Sequence, residues 1–445
     1  MTERRSCALN SDNRHLLSDI CRLSRACRGE AVRRRRVIRL LFLALLILAA
    51  VGCAPSFEPR PLNEVNFLAR SQTKSIGNIR VTAAVLSAEE SEQVFGFALY
   101  KKGVQPVWLR IENNEEQPTW FLPVGLDPDY FPPLEVTYPY HRAFQKDYNR
   151  QIDVYFQSHA MGLYIAPGAT RSGFVFTNLD LGTKVFNVDL VGDDSEPKTF
   201  IFFIEVPGLV ADHREVEFES LYSADQLVTY DEPGLKTALE RMPCCTTNPD
   251  GTAQLAPINV VMIGDGYDLL RVLIRGGWNE TAAADRSASQ ADLSAGIPRG
   301  YRYNPVFPVH YYGRPQDASF RDARSTGFGQ NVLRLWLSPL RVDNLPVWVG
   351  LVSRELAQQP QRLKNQKLDL DEVRYFFLQD LLYSQGISRF GHVKGAGEAP
   401  ISRPTKIADE IYYVFDGYRA VLWISPQAVP LDEVVALDWE IPPAR

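Results

Sequence analysis

The chain has 445 residues, enough for two or three domains, and its 45% hydrophobic and 23% charged content is that of a folded globular protein. Its formal net charge of -5 hides an asymmetry: residues 1–52 carry eleven arginines and four acidic residues, and the rest holds 37 basic against 49 acidic residues. That excess of acid argues against nucleic acid as a partner, because duplex binding draws on neutralisation of phosphates by Lys and Arg.

In chain order, the first feature is the basic run Arg33–Arg36 and Arg39, followed by an uncharged apolar run from Leu40 to Val51. A basic cluster, an apolar stretch and a small residue before cysteine are the order of a bacterial export signal. The apolar run is twelve residues, whereas a spanning helix needs about 20, so a cleaved signal over residues 1–52 is expected rather than a permanent anchor. Ala50-Val51-Gly52-Cys53 resembles a lipobox, which implies that Cys53 receives lipid, palmitate included, and becomes the mature N-terminus. Ala54 follows, without the aspartate that retains many lipoproteins at the inner membrane, so the expected place is the periplasmic face of the outer membrane. Arg35-Arg36-Val37-Ile38-Arg39 lacks the Phe-Leu-Lys ending of a twin-arginine signal, which points to general secretion. Residues 1–31 are polar and irregular, with Cys7, Cys21 and Cys27, and a true start at Val32 is expected. Only Cys53, Cys244 and Cys245 then remain, so no long-range disulfide framework forms. The adjacent pair reads equally well as reduced thiols or as a vicinal disulfide.

Residues 53–75, with Pro55, Pro59 and Pro61, read as an extended lipidated tether. From 76 to 207 the pattern is one of short strands: Ile79–Val85, Gln93–Leu99, Val104–Ile111, Thr119–Leu122, Gly162–Ala166, Ser172–Phe176, Lys184–Leu190 and Thr199–Val206. Eight β-rich runs between Pro/Gly turns suggest an antiparallel sandwich of immunoglobulin type. Between its halves lies a Pro- and Tyr-rich insert, Asp127–His159, expected to be an ordered loop. Residues 208–256 form a linker with one short helix, Pro233–Met242.

Residues 257–426 mix periods, which indicates an α+β domain, and 427–445 form a tail. Ile258–Ile263 is a buried strand and Gly264-Asp265-Gly266 a tight turn that caps a helix over Tyr267–Arg275. The turn lacks the third glycine of a dinucleotide fingerprint and the lysine of a phosphate loop. Strands follow at Val306–Tyr312, Val332–Leu337 and Val347–Val352. A helix over Asp371–Ser384 directs Val373, Phe376, Phe377, Leu381 and Leu382 at the core, and the strand pair Tyr412–Phe415 and Arg419–Ile424 closes the sheet through Asp416-Gly417.

This half resembles the LssY C-terminal-like domain. The resemblance is carried by Pro257–Gly264, Gly276-Gly277-Trp278, the run from Pro308 to Phe320, Leu333–Trp336 and Pro346–Gly350. It implies no established chemistry. Members often carry a His-His-Ile-Asp-like segment before the Asp-rich helix. Here that place reads Asn365-Gln366-Lys367-Leu368-Asp369-Leu370-Asp371, so no metal or acid–base role is carried over.

The six histidines form no close pair, and neither Cys-x-x-Cys nor Gly-x-Ser-x-Gly occurs, so no metal or catalytic residues are assigned and no cofactor is expected. The candidate binding residues are His310, Arg314, Asp317 and Arg334. A carboxylate beside a histidine and an arginine that holds an anion would make a site, whereas an internal network tying a loop to the sheet is the expected structural role. Trp278, Trp336 and Trp348 are expected in the core. The sequence thus describes a cell-envelope lipoprotein that acts by binding or assembly. It contacts the membrane through Cys53 and an envelope protein or lipid partner. The rival is an envelope hydrolase of phosphorylated or lipid substrates with His310 and Arg314 in its site.

Overall fold

The computed structural model describes residues 57–192, 197–282, 303, 305–322, 330–355, 366–408 and 411–443. The export signal, Cys53 and the expected start at Val32 lie outside the described residues. In the first half the strands are β1 (Gln72–Ile76), β2 (Ile79–Val85), β3 (Val104–Asn113), β4 (Thr119–Leu122), β5 (Tyr164–Ile165), β6 (Thr170–Asn178), β7 (Gly182–Gly192) and β8 (Lys198–Val206). They form two antiparallel sheets, ordered β1-β2-β3-β6 and β5-β4-β7-β8. Strand alternation decides which side chains meet: Val81, Ala83 and Val85 of β2 and Val107, Leu109 and Ile111 of β3 face Phe186, Val188, Phe200 and Phe202 across one core. A Gly77-Asn78 turn, with Gly77 at φ 57, sets the β1–β2 register.

The opposite face of the first sheet is covered by helices. These are α1 (Ala88–Phe95), α2 (Pro133–Thr137) and α3 (Lys146–His159). Val175 points into the core while Phe174 and Phe176 point outward. Phe95 of α1 lies 5.0 Å from Phe174, 5.2 Å from Phe176 and 4.8 Å from Phe156 of α3 between ring centroids. Three expectations change here. The run from Gln93 to Leu99, expected as a strand, is the end of α1 followed by a short 3-10 turn. Ser87 and Glu90 close a reciprocal capping box at the start of α1, and Gly96 ends it at φ 69. The insert, expected as a loop, holds two helices, with Ile152 and Phe156 buried at helical spacing. The stretch expected to be a tether through Ser75 is structured from Leu62, because Val65 and Phe67 are buried and Phe67 packs 6.0 Å from Trp108.

The second half adds β9 (Val228–Tyr230), β10 (Cys245–Thr247), β11 (Gln254–Pro257), β12 (Val260–Ile263), β13 (Trp278–Glu280), β14 (His310–Tyr311), β15 (Arg314–Pro315) and β16 (Ala318–Asp322). It continues with β17 (Gln330–Val342), β18 (Leu345–Glu355), β19 (Gln366–Asp369), β20 (Ile387–Lys394), β21 (Thr405–Ala408), β22 (Ile411–Val414), β23 (Tyr418–Ile424) and β24 (Val435–Ala436). Its helices are α4 (Glu232–Arg241), α5 (Gly266–Arg275) and α6 (Leu370–Tyr383). The main sheet runs β13-β16-β17-β18-β12-β23-β20-β24, with β9 alongside β17, and two smaller sheets are β11-β10-β14-β15 and β19-β22-β21. Val260 and Met262 of β12 join the core under α5 and α6, while Val261 and Ile263 join the core under α4. Burial on both faces explains the near-continuous apolar run. Its one polar member, Asn259, accepts the Val352 N–H at 2.9 Å and donates to the Val352 carbonyl at 2.8 Å. The described chain is mostly β-sheet, in several sheets with few helices.

Candidate functional site

Arg314 is placed by a two-residue turn, Tyr312-Gly313, in which both residues are left-handed at φ 52 and 74. Its guanidinium meets Asp317 twice, Nε to Oδ1 at 3.0 Å and Nη2 to Oδ2 at 2.9 Å. Nη1 donates to the Tyr222 hydroxyl at 2.9 Å and Nη2 to the Leu337 carbonyl at 2.6 Å. Asp317, 2% exposed, also accepts the Leu337 N–H at 2.6 Å, and Tyr222 donates to the Leu337 carbonyl at 2.9 Å. Burial alone would lower the Arg314 pKa, but Asp317, helped by Tyr222, outweighs it and holds the arginine above its usual range. The pair therefore ties the β15–β16 segment to β17. Tyr222 was not foreseen, because no motif links it to a partner 92 residues away.

The other two candidates lie elsewhere. His310 on β14 is half-buried, paired in register with Thr247 and Pro315, and its Nδ1 is buried without a hydrogen bond. Among the described residues no hydrogen bond or ion pair joins it to Arg314 or Asp317. Arg334, 5% exposed, donates to Glu355 Oε1 at 2.6 Å, while Arg321 donates to Oε2 at 2.9 Å. Burial lowers the Arg334 pKa against the opposing pull of Glu355. The four candidates thus fall into three places, and only Arg314 and Asp317 are brought together. Trp278, Trp336 and Trp348 are buried, as expected. Asp265 accepts the Tyr267 N–H at 2.8 Å and caps α5. Cys244 and Cys245 are bonded to each other, the second of the two open alternatives. Gly397, at φ 96, lies so close that a Cβ there would collide with the Cys244 sulfur.

Two polar clusters were missed. Arg374 of α6, fully buried, forms a bidentate pair with Asp416 at 2.8 and 2.7 Å and lies 3.3 Å from Asp371. His392 packs nearby. Burial, reinforced by repulsion from Arg374 and opposed by Asp416, lowers its pKa to about 4. The Asp371-x-x-Arg374 spacing was a readable signal, but Asp416 read as a turn residue. The second cluster joins the halves. Glu280 on the edge strand β13 accepts the Thr183 N–H of β7 at 2.5 Å and bonds His213 Nε2 at 2.6 Å. Gly182, at φ 74, admits this approach because a Cβ there would collide with the Glu280 carboxylate. Beside it Asp212 accepts from Ser319, and burial raises its pKa to about 6 against the effect of that hydrogen bond.

An open pocket of about 420 Å³ lies along the first turns of α6, lined by Asp369, Glu372, Tyr375, Phe376 and Gln379. Its two carboxylates, Asp369 and Glu372, disfavour an anionic ligand. Among the described residues no group of His, Cys, Asp or Glu is arranged to hold a metal ion. None of the described helices is long and apolar enough to cross a membrane. Residues 237–418 match the family described as the LssY C-terminus, so the match begins inside α4, ahead of Pro257, where the residues that carry the resemblance begin. No curated protein matches the chain.

Proposed function

We propose that this chain is a cell-envelope lipoprotein, anchored by lipid on Cys53 at the periplasmic face of the outer membrane, that acts by binding or assembly. In this reading the first half is an immunoglobulin-like sandwich, supported by two wholly antiparallel sheets around one core. The second is an α+β domain of the LssY C-terminal type, supported by α5 and α6 on one face of a mixed sheet. The observation that carries the functional part is the state of Arg314. Each of its three guanidinium nitrogens donates within the fold, to Asp317, Tyr222 or the Leu337 carbonyl. The rival reading, an envelope hydrolase of phosphorylated or lipid substrates with Arg314 and His310 in its site, draws no support from an arginine whose donors are already engaged.

Two experiments test the reading. Metabolic labelling with a fatty-acid analogue is expected to mark the wild type and not Cys53→Ser, and equal labelling of the two removes the anchor. Arg314→Ala and Asp317→Ala are each expected to lower stability by about 1–3 kcal/mol, because either change strands a buried polar partner. His310→Ala is expected to leave co-purifying envelope proteins and lipids unchanged. Three stable variants that lose one shared activity or partner would make this cluster the functional site.

A further inference from the structure

The insert between β4 and β5 carries a loop built to hold an aromatic ring in solvent. Phe144 has φ 64, in the left-handed region that costs a non-glycine residue, and its side chain is fully exposed at 103%. Tyr138, at the other end of the loop, is 76% exposed. The backbone between them is fixed. Asn149 of α3 accepts the Arg142 N–H at 2.8 Å and donates to the Arg142 carbonyl at 3.0 Å, acting as a second backbone strand for one residue. Asp153 takes the Thr137 hydroxyl at 2.6 Å and His141 Nε2 at 2.8 Å, and the Arg142 guanidinium lies 4.0 Å from the centre of the Tyr148 ring. A rigid loop that strains its backbone to expose a phenylalanine gains nothing for the fold from that side chain.

Charge and chain path identify what it meets. Residues 141–150 hold Arg142, Lys146 and Arg150 against the single acid Asp147, a basic stretch on a chain that is acidic beyond residue 52. The chain at Arg60 lies beside the same insert. The Arg60 N–H donates to the Gln93 carbonyl at 2.8 Å, and the Tyr155 hydroxyl of α3 donates to the neighbouring Val94 carbonyl at 2.8 Å. From Arg60 back to Cys53 is seven residues, a reach of about 25 Å at full extension. That short reach bounds how far a lipid on Cys53 can lie from Arg60.

We infer that the Tyr138–Lys146 loop is a membrane-docking element: Phe144 and Tyr138 enter the boundary between headgroups and acyl chains, and Arg142 and Lys146 meet anionic headgroups. The inference rests on the lipoprotein reading for where the bilayer is, while the contact itself belongs to the loop. The test places a photoreactive benzoyl-phenylalanine at position 144 of the full chain, reconstituted into vesicles of equal parts phosphatidylethanolamine and phosphatidylglycerol. Irradiation is expected to give lipid adducts at 144. The same probe at Ile441, 88% exposed in the C-terminal tail, should give at least about tenfold less, the scale set by burying one aromatic side chain. Vesicles of phosphatidylcholine alone should lower the yield at 144 severalfold. No adduct at 144, equal adducts at both positions, or, in cell envelopes, capture of a protein in place of lipid would each overturn the inference. Fatty-acid labelling of Cys53 is read separately, so a chain that is not lipidated but still captures lipid at 144 rejects the anchor and keeps the loop.

Discussion

In the first half the core between the sheets is aliphatic and aromatic, and most of its buried polar residues, among them Gln105, Asn113 and Thr177, are uncharged. The second half buries Arg271, Asp317, Arg334, Asp371, Arg374 and Arg419, each no more than 5% exposed. A neutral core needs only shape and alternation to be stable. A charged one needs each ion matched by a partner, and here some of the partners come from far along the chain. Arg374 finds Asp416 42 residues on, and Arg419 spends its donors on the carbonyls of Leu239, Met242 and Pro243, where α4 ends and carries partial negative charge. The second half should therefore be the part in which one lost side chain, or a change of pH, is felt most.

The largest expected effect follows from removing Arg374. Arg374→Ala leaves Asp371 and Asp416 buried without their cation and should cost about 3–5 kcal/mol, read from urea unfolding. Replacing all three by apolar residues of similar size should recover much of that loss, since the penalty comes from the stranded charge and not from a missing attraction. The matched change in the first half is Lys184→Met. Its ammonium reaches Asp180, which is 40% exposed and can turn to water, so the cost should stay near 1 kcal/mol. Equal losses from Arg374→Ala and Lys184→Met would erase the contrast between the halves.

Acid should sharpen the same contrast. His392 is buried and neutral, with a pKa near 4 against the ordinary 6.5. Between those values the unfolded chain binds a proton that the folded chain does not, so stability falls as pH drops through that window, by at most about 3 kcal/mol. Asp212 works the other way. With a pKa raised to about 6, the folded chain keeps a proton that the unfolded chain has lost, and stability falls as pH rises from the ordinary carboxylate range toward 6. The two slopes oppose each other between about pH 4 and 6. Asp212→Asn should therefore uncover the histidine: its melting temperature should fall steadily from pH 6.5 to 4, while that of His392→Phe should rise over the lower part of the range. Parallel curves for both variants and the wild type would show that neither group titrates as its surroundings dictate.

What could be read in advance follows the same division. Val107, Leu109 and Ile111 announced β3 by alternation, and Ile258–Ile263 announced a buried strand, found over Val260–Ile263, because apolar spacing is a local property. Arg314 and Asp317 were legible as a pair since they are three residues apart, and Asp265 was legible as a cap. The Glu280–His213–Thr183 junction was not, because its members come from three separate segments. Nor was the Arg374–Asp416 pair, in which one partner looks like a helix-surface residue and the other like part of a turn. The structure of Leu62–Ile76 was hidden for a different reason. Only Val65 and Phe67 are buried there, too few to carry a period, and Phe67 is covered by a sheet face formed by Trp108 and Phe174.

α1 is the case in which the sign was present and another outweighed it. Gln93–Leu99 is apolar and aromatic, a strand-like composition, but six residues earlier stands Ser87-Ala88-Glu89-Glu90, the serine-to-glutamate spacing of a capping box. The box wins because it satisfies two backbone N–H groups at once, Glu90 at 3.3 Å and Ser87 at 2.8 Å, and because the helix it starts drops Phe95 between Phe156, Phe174 and Phe176. Ser87→Ala should therefore cost about 1 kcal/mol, the usual worth of such a cap. Ser87→Asp should restore most of it, since a carboxylate also accepts the N3 proton and suits the helix N-terminus. Hydrogen exchange locates the effect, and faster exchange in Ser87→Ala should be confined to the first turn of α1. Loss spread through both sheets would mean that α1 holds the two sheets together, and the first half would then depend on long-range partners as much as the second.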